Sequence, residues 1–279
     1  PKLDDLLALA ADGGYIDAQI LTRSGSFLAY TCNGQSEARR AFEAGAQLYI
    51  HLPATMVVRT PIQVWAARLK EELGVPTHWG EIGVYAAKVG GIGVDWHFDS
   101  SENFMFHLSG RKTWKFARND SFIYPLQTQI FKESVSKINE AARCSELPIT
   151  LPEDIETVVF EPGSAAYIPR GLWHETISCE ESLSVAVTWN QIIWGEAMLC
   201  RLLDMVTHDI NWRQSVRMAL ADDPSGHSSA RKYIVHELLP KLRAFVDQIA
   251  SNPDMLLSRG KDTRRLLEMV NMIISGRLY

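Results

Sequence analysis

The sequence predicts a mainly β domain, an antiparallel barrel or jelly roll, with helices before it and a helical region after it. Between residues 78 and 191, short runs rich in β-branched and aromatic residues alternate with turn signals such as Gly90-Gly91, Ser109-Gly110, Pro162-Gly163 and Pro169-Arg170-Gly171. Ahead of that stretch three segments have helical spacing. From residue 192 onward the strand signal stops and apolar residues recur at helical intervals.

The elements follow in order. Leu3, Leu6, Leu7 and Leu9 predict a short helix that Gly13-Gly14 stops. "SEARRAFEAG" (36–45) predicts a helix with Ser36 as N-cap and Gly45 past its end. "AQLYIHL" (46–52) alternates as a strand does, and "PIQVWAARLKEELG" (61–74) predicts a helix with Pro61 in its first turn and Val64, Leu69 and Leu73 on one side. The predicted strands are "EIGVYAAKV", "ENFMFHL", "KTWKFA", "ETVVF", "SAAYIP", "HETIS" and "SLSVAVTW", with an insertion at 120–152 that holds a helix. "WGEAMLCRLLDMVTHDI", "RKYIVHELLPKLRAFVDQIA" and "TRRLLEMVNMIISG" predict the final helices. The expected organisation is an N-terminal segment (1–40), a β domain (41–191) and a helical region (192–279).

With 279 residues, 46% of them hydrophobic and 22% charged, the composition is that of a globular protein. A net charge of −5 and the lack of a long basic run argue against direct nucleic-acid binding. No apolar stretch reaches the roughly 20 residues that span a bilayer, so no membrane association is expected. Cys32, Cys144, Cys179 and Cys200 are scattered without a C-x-x-C pair, which fits reduced thiols in a cytoplasmic protein.

The segment at 90–116 carries the chemistry. In extended backbone His97 and Asp99 point to one side, so an imidazole and a carboxylate reach one metal ion. The tripeptide alone is a weak signal. A second His would complete two imidazoles and a carboxylate on one face of an octahedron, leaving three positions open, as suits a ferrous ion that binds a bidentate cosubstrate and dioxygen. Two residues compete for that place: His174, which begins a strand after the Pro169-Arg170-Gly171 turn, and His107, which shares a strand face with Asn103. Lys112, 15 residues after His97, is either a solvated strand-end lysine or a buried ammonium that grips the distal carboxylate of 2-oxoglutarate. Trp96, Trp173 and Trp189 either wall the pocket or pack the barrel, and Arg170 either steers an anion at the rim or is a solvated turn residue.

"VYAAKVGGIGVDWHFDSSENFMFHLSGRKTW" and "PGSAAYIPRGLWHETISCEESLSVAV" resemble the JmjC-type cupin oxygenases, nearest the ribosomal oxygenase branch, over roughly residues 40–191. The resemblance implies a double-stranded β-helix and a ferrous triad at His97, Asp99 and His174. It implies 2-oxoglutarate and dioxygen as cosubstrates, with Lys112 on the 2-oxoglutarate side-chain carboxylate. It makes Asn103 an active-site polar residue and Tyr85 and Thr188 cosubstrate contacts. It implies a 2-oxoglutarate-dependent dioxygenase that hydroxylates an unactivated carbon of a protein or peptide side chain, and a homodimer through the final helices. The alternatives are a hydroxylase of a free amino acid or natural-product intermediate, a non-catalytic metal-binding cupin, and a zinc or manganese cupin enzyme. Val94 stands where related asparaginyl hydroxylases carry a cosubstrate-binding Thr, and Ser184 replaces a His common in the ribosomal branch.

Overall fold

The computed structural model describes residues 2–10, 14–21, 27–52, 61–72, 77–91, 94–136, 139–140, 143–147, 150–151, 153–191, 193–213 and 231–256. The chain divides into two compact units, 1–191 and 192–279.

The first unit contains two antiparallel sheets. Its strands are β1 (Tyr15–Leu21), β2 (Phe27–Thr31), β3 (Gln47–Leu52), β4 (Thr77–Ala87), β5 (His97–Phe98), β6 (Glu102–Ser109), β7 (Lys112–Ala117), β8 (Gln129–Ile130), β9 (Glu156–Phe160), β10 (Ala165–Ile168), β11 (Trp173–Ser178) and β12 (Ser182–Gln191). The larger sheet has the order β10-β6-β12-β4-β3-β1-β2, the smaller β8-β5-β11-β7-β9. All the predicted runs form strands. β1 and β2 were not predicted, and because they extend the larger sheet beside β3, the first 40 residues share a unit with the barrel. In β1, Asp17 and Gln19 interleave with Ile16, Ala18 and Ile20, the same period-two pattern that marks the other strands.

Strand periodicity separates two faces of the larger sheet. Ile82, Val84 and Ala86 of β4, with Leu183, Val185 and Val187 of β12, join one core with helices α1 (Leu3–Ala10) and α2 (Gln35–Glu43). The opposite face carries Tyr85 of β4, paired with Ser184 of β12, and Ala186 and Thr188 of β12, which stand opposite Met105 and Asn103 of β6. In the smaller sheet, Phe98 and Trp173 pack away from that interior against Phe122 and Phe131 of the insertion. Phe98 is fully buried, so Phe98→Ala is expected to cost about 3–5 kcal/mol in lost transfer energy and cavity.

Two predicted details differ. Gly34, not Ser36, is the N-cap of α2, and Glu37 reaches back to accept the Asn33 N–H at 2.6 Å. In α3 (Pro61–Glu72), Val64 is 58% exposed, and Trp65 is the residue that packs, edge-on to Phe106 at 4.8 Å. The side chain of Leu69, and Gly13 and Leu73, lie outside the described residues. Of the helix predicted in the insertion, residues 139–140 are helical and their neighbours lie outside the described residues.

The second unit holds α4 (Trp194–His208), then a helix that passes through one π turn (Ile234–Leu238) into α5 (Leu239–Ser251), and a 3₁₀ turn (Pro253–Leu256). Pro240 lacks the N–H that an α-helical register needs, which accounts for the wider turn before it. Lys241 pairs with Asp209, tying α5 to the end of α4. The segment "TRRLLEMVNMIISG" lies outside the described residues. No helix among the described residues is long and apolar enough to cross a membrane.

Candidate metal centre and anion pocket

β5 is two residues long, and this shortness lets the chain offer His97 from the strand and Asp99 just past it. Trp96 and Phe98 bury on the opposite side, which turns His97 and Asp99 inward. On β11, Trp173 is buried outward and His174 inward by the same alternation. His174 pairs directly with His97 across the antiparallel ladder, and the two rings lie 4.2 Å apart. The Gly171 N–H donates to the Asp99 carbonyl at 2.8 Å, fixing the carboxylate-bearing residue to the turn that precedes β11.

Each imidazole has one nitrogen committed to the backbone. His97 Nδ1 lies 2.8 Å from the Asp95 carbonyl, and His174 Nδ1 lies 2.9 Å from the Leu172 carbonyl. A carbonyl only accepts, so each Nδ1 carries the proton and each Nε2 keeps its lone pair. Those Nε2 atoms stand 3.9 Å and 3.8 Å from the two Asp99 oxygens. The three donor atoms lie within 4.8 Å of one another, so the three side chains could hold a metal ion. Burial first, and the neighbouring His97 second, lower His174 to about 4, leaving its ring neutral as a ligand must be.

Asp99 is itself oriented. Asn103 Nδ2 donates to Oδ2 at 2.8 Å, and the Thr128 hydroxyl donates to Oδ1 at 3.3 Å. The Thr188 hydroxyl donates to Asn103 Oδ1 at 2.6 Å, which fixes the amide so that its N–H faces the carboxylate. Asn103 and Thr188 thus spend these polar atoms on Asp99 and on each other.

His107 is not brought to this centre. It is buried, with Nδ1 2.9 Å from the Ser184 hydroxyl and Nε2 3.0 Å from the Gly110 carbonyl, so both nitrogens are occupied. Elsewhere, His51 stacks on Tyr15 between Asp17 and Glu81, and His208 and His236 are exposed on helical turns. His227 and the side chain of His78 lie outside the described residues.

A cavity of about 230 Å³ opens beside the triad. Lys112 lines it, 2% exposed, with its ammonium 5.7 Å from the centre of the Tyr85 ring, which also lines the cavity. Among the described residues the ammonium has no hydrogen-bond or ion-pair partner. Burial lowers its pKa to about 8. A buried ammonium without a counter-charge is costly unless an anion joins it. The solvated reading of Lys112 is therefore excluded.

Of the tryptophans singled out from sequence, Trp96 and Trp173 pack against Phe98, and Trp189 packs with Trp65 and Phe104. The indole that lines the cavity is Trp114, stacked on His174 at 5.9 Å. It lies two residues beyond Lys112, so strand periodicity alone places the two on one face. Thr128 and Gln47 also line the cavity. They arrive through long-range pairing of β8 with β5 and of β3 with β4, for which the local sequence carries no signal. Arg170 is nearly buried at the rim, over the Tyr124 ring at 4.8 Å and 4.0 Å from Glu102.

Two antiparallel sheets that hold two histidines and a carboxylate between them form a JmjC cupin-like fold, and residues 60–196 match the JmjC domain family model. The chain has the fold of that family. Among individual proteins, it is 30% identical over 224 residues to the uncharacterized protein YxbC of Bacillus subtilis (strain 168), covering 79% of this chain and 64% of YxbC. Its fold is similar to that of Escherichia coli YcfD, with a TM-score of 0.53 at 17% identity over 92% of this chain and 62% of that one. A second YcfD structure, described as a ribosomal oxygenase in complex with cobalt and 2-oxoglutarate, gives a TM-score of 0.52 at 16% identity over 91% and 60%. The chain therefore spans less than two thirds of the length of either relative.

Proposed function

We propose that the protein is an Fe(II)- and 2-oxoglutarate-dependent dioxygenase that hydroxylates an unactivated carbon of an amino-acid side chain in a protein or peptide. One observation carries this reading: a convergent His97–Asp99–His174 set shares a cavity with the uncompensated Lys112 ammonium. The metal ligands would be His97, Asp99 and His174, a donor set that suits a divalent cation with open positions. Lys112 would pair with the distal carboxylate of 2-oxoglutarate, with Tyr85 beside it. Asn103 and Thr188 would act through Asp99, holding its oxygens in place.

When bound, iron with 2-oxoglutarate and dioxygen supplies the oxidising chemistry; the chain supplies binding, orientation and a sheltered cavity. Each Nδ1 keeps its proton and donates it to a backbone carbonyl, so both imidazoles present a ready lone pair at Nε2. Trp114 stacks on His174 and covers one wall. YcfD's complex with cobalt and 2-oxoglutarate supports the metal and cosubstrate, and its description as a ribosomal oxygenase supports a protein substrate. A non-catalytic cupin gives no reason for a buried, unpaired lysine beside the triad. The scattered cysteines, without a C-x-x-C pair, support a cytoplasmic setting, and the exposed Trp194, Leu199 and Val246 support self-association through residues 192–279.

The test is anaerobic loading with Fe(II), then air and 2-oxoglutarate with a library of ribosomal-protein peptides and, separately, free amino acids. Succinate release with a +16 Da peptide product supports the proposal. Products from free amino acids alone would replace the peptide substrate by a small one. Absence of both iron and 2-oxoglutarate binding would overturn the reading.

A further inference from the structure

We propose that His107 is a positioning residue whose imidazole locks the β6–β7 turn and so aims Lys112 into the cavity. This rests on the reading above that Lys112 holds the distal carboxylate of a dicarboxylic oxoacid.

His107 sits on β6, 1% exposed, with its main chain pinned to the 163–164 turn: its N–H donates to the Ser164 carbonyl and its carbonyl accepts the Gly163 N–H, both at 2.9 Å. From that anchor the ring reaches forward to the Gly110 carbonyl at 3.0 Å. A carbonyl accepts only, so Nε2 carries the proton; Nδ1 then holds the lone pair, and the Ser184 hydroxyl must donate to it at 2.9 Å. Burial disfavours the charged ring, which keeps this single tautomer.

The turn it grips has no slack. Gly110 adopts φ +74, and a Cβ there would lie 2.2 Å from the Glu181 carbonyl oxygen. Two residues on, Lys112 opens β7 in the smaller sheet. His107 therefore ties β6 of the larger sheet to the turn that leads into β7 of the smaller one. The Lys112 ammonium has no polar partner of its own among the described residues, so the path of this turn sets where it points. Packing alone would be served by an aromatic hydrocarbon of similar size. That replacement would leave the Gly110 carbonyl without this donor and the turn without its lock.

The experiment is calorimetry on the Co(II)-loaded full chain, kept anaerobic, titrated with 2-oxoglutarate and, separately, with pyruvate, which lacks the distal carboxylate. His107→Phe is expected to weaken 2-oxoglutarate by about 10-fold, with pyruvate and Co(II) affinities unchanged. His107→Gln, which can still donate to Gly110, should stay within about threefold of wild type, and Ser184→Ala should fall between. Wild-type 2-oxoglutarate affinity in His107→Phe would overturn the proposal, as would an equal loss for pyruvate or metal. If His107→Phe does not fold, the Ser184→Ala result decides by the same criterion: selective loss of 2-oxoglutarate supports the lock, and no loss refutes it. A wild-type protein that binds Co(II) but no 2-oxoglutarate would defeat the dicarboxylate reading itself.

Discussion

The two ends of the cavity treat their buried polar groups in opposite ways. At the proposed metal end each candidate ligand is half committed: His97 and His174 give one nitrogen to a backbone carbonyl and keep the other, and Asp99 is held by Asn103 and Thr128. At the lysine end nothing is half committed. His107 spends both nitrogens on the protein, and Lys112 spends none of its three donors on a polar partner among the described residues. A buried histidine's role is thus read from where its hydrogen bonds go, and the incomplete groups mark what is to be bound.

The largest effect that could break this comparison is on metal binding. His174→Ala is expected to lower Co(II) or Fe(II) affinity by at least about 100-fold, whereas His107→Gln leaves it unchanged; competition against a chromogenic chelator measures both. Equal losses would erase the distinction between the two rings.

Next comes the ammonium. Lys112→Met should weaken 2-oxoglutarate by about 10- to 100-fold while leaving the metal in place. It should also stabilise the ligand-free protein. The folded pKa is about 8 against an ordinary 10.5, so the unfolded chain holds more protons between those values. Stability therefore rises as pH climbs through that window, and below it the buried charge costs up to about 3 kcal/mol. Denaturant titrations at pH 7 and pH 10 should show this gain in wild type and none in Lys112→Met.

A smaller effect sharpens the metal end. Asn103→Ala and Thr188→Val should each reduce metal affinity by about 10-fold without removing a ligand, Thr188→Val less than Asn103→Ala because it acts through the amide. An unchanged affinity in Asn103→Ala would mean that Asp99 needs no support.

Period-two alternation is local, and it made most of the barrel legible: the strands from 81 to 189 and the inward pairing of His97 with Asp99. The choice between His107 and His174 was not legible from residues alone, since both sit on inward-facing strands. The resemblance selected His174, and the hydrogen bonds at His107 give a physical reason for that choice. β1 was within reach of the same alternation, since Asp17 and Gln19 interleave with Ile16, Ala18 and Ile20 and face polar partners across the sheet, Thr31 and Gln47. Thr128 and Gln47 escaped because pairing across the fold, and not local spacing, delivers them. Trp114 was within reach of the same alternation that pairs it with Lys112.

The most direct test is an anaerobic Co(II) titration of the full chain, followed by visible absorption, with 2-oxoglutarate added at saturation. The account predicts one Co(II) per chain, bands that shift when 2-oxoglutarate binds, and no such spectrum in His174→Ala. A His174→Ala protein that gives the wild-type spectrum, or wild-type bands indifferent to 2-oxoglutarate, would contradict it.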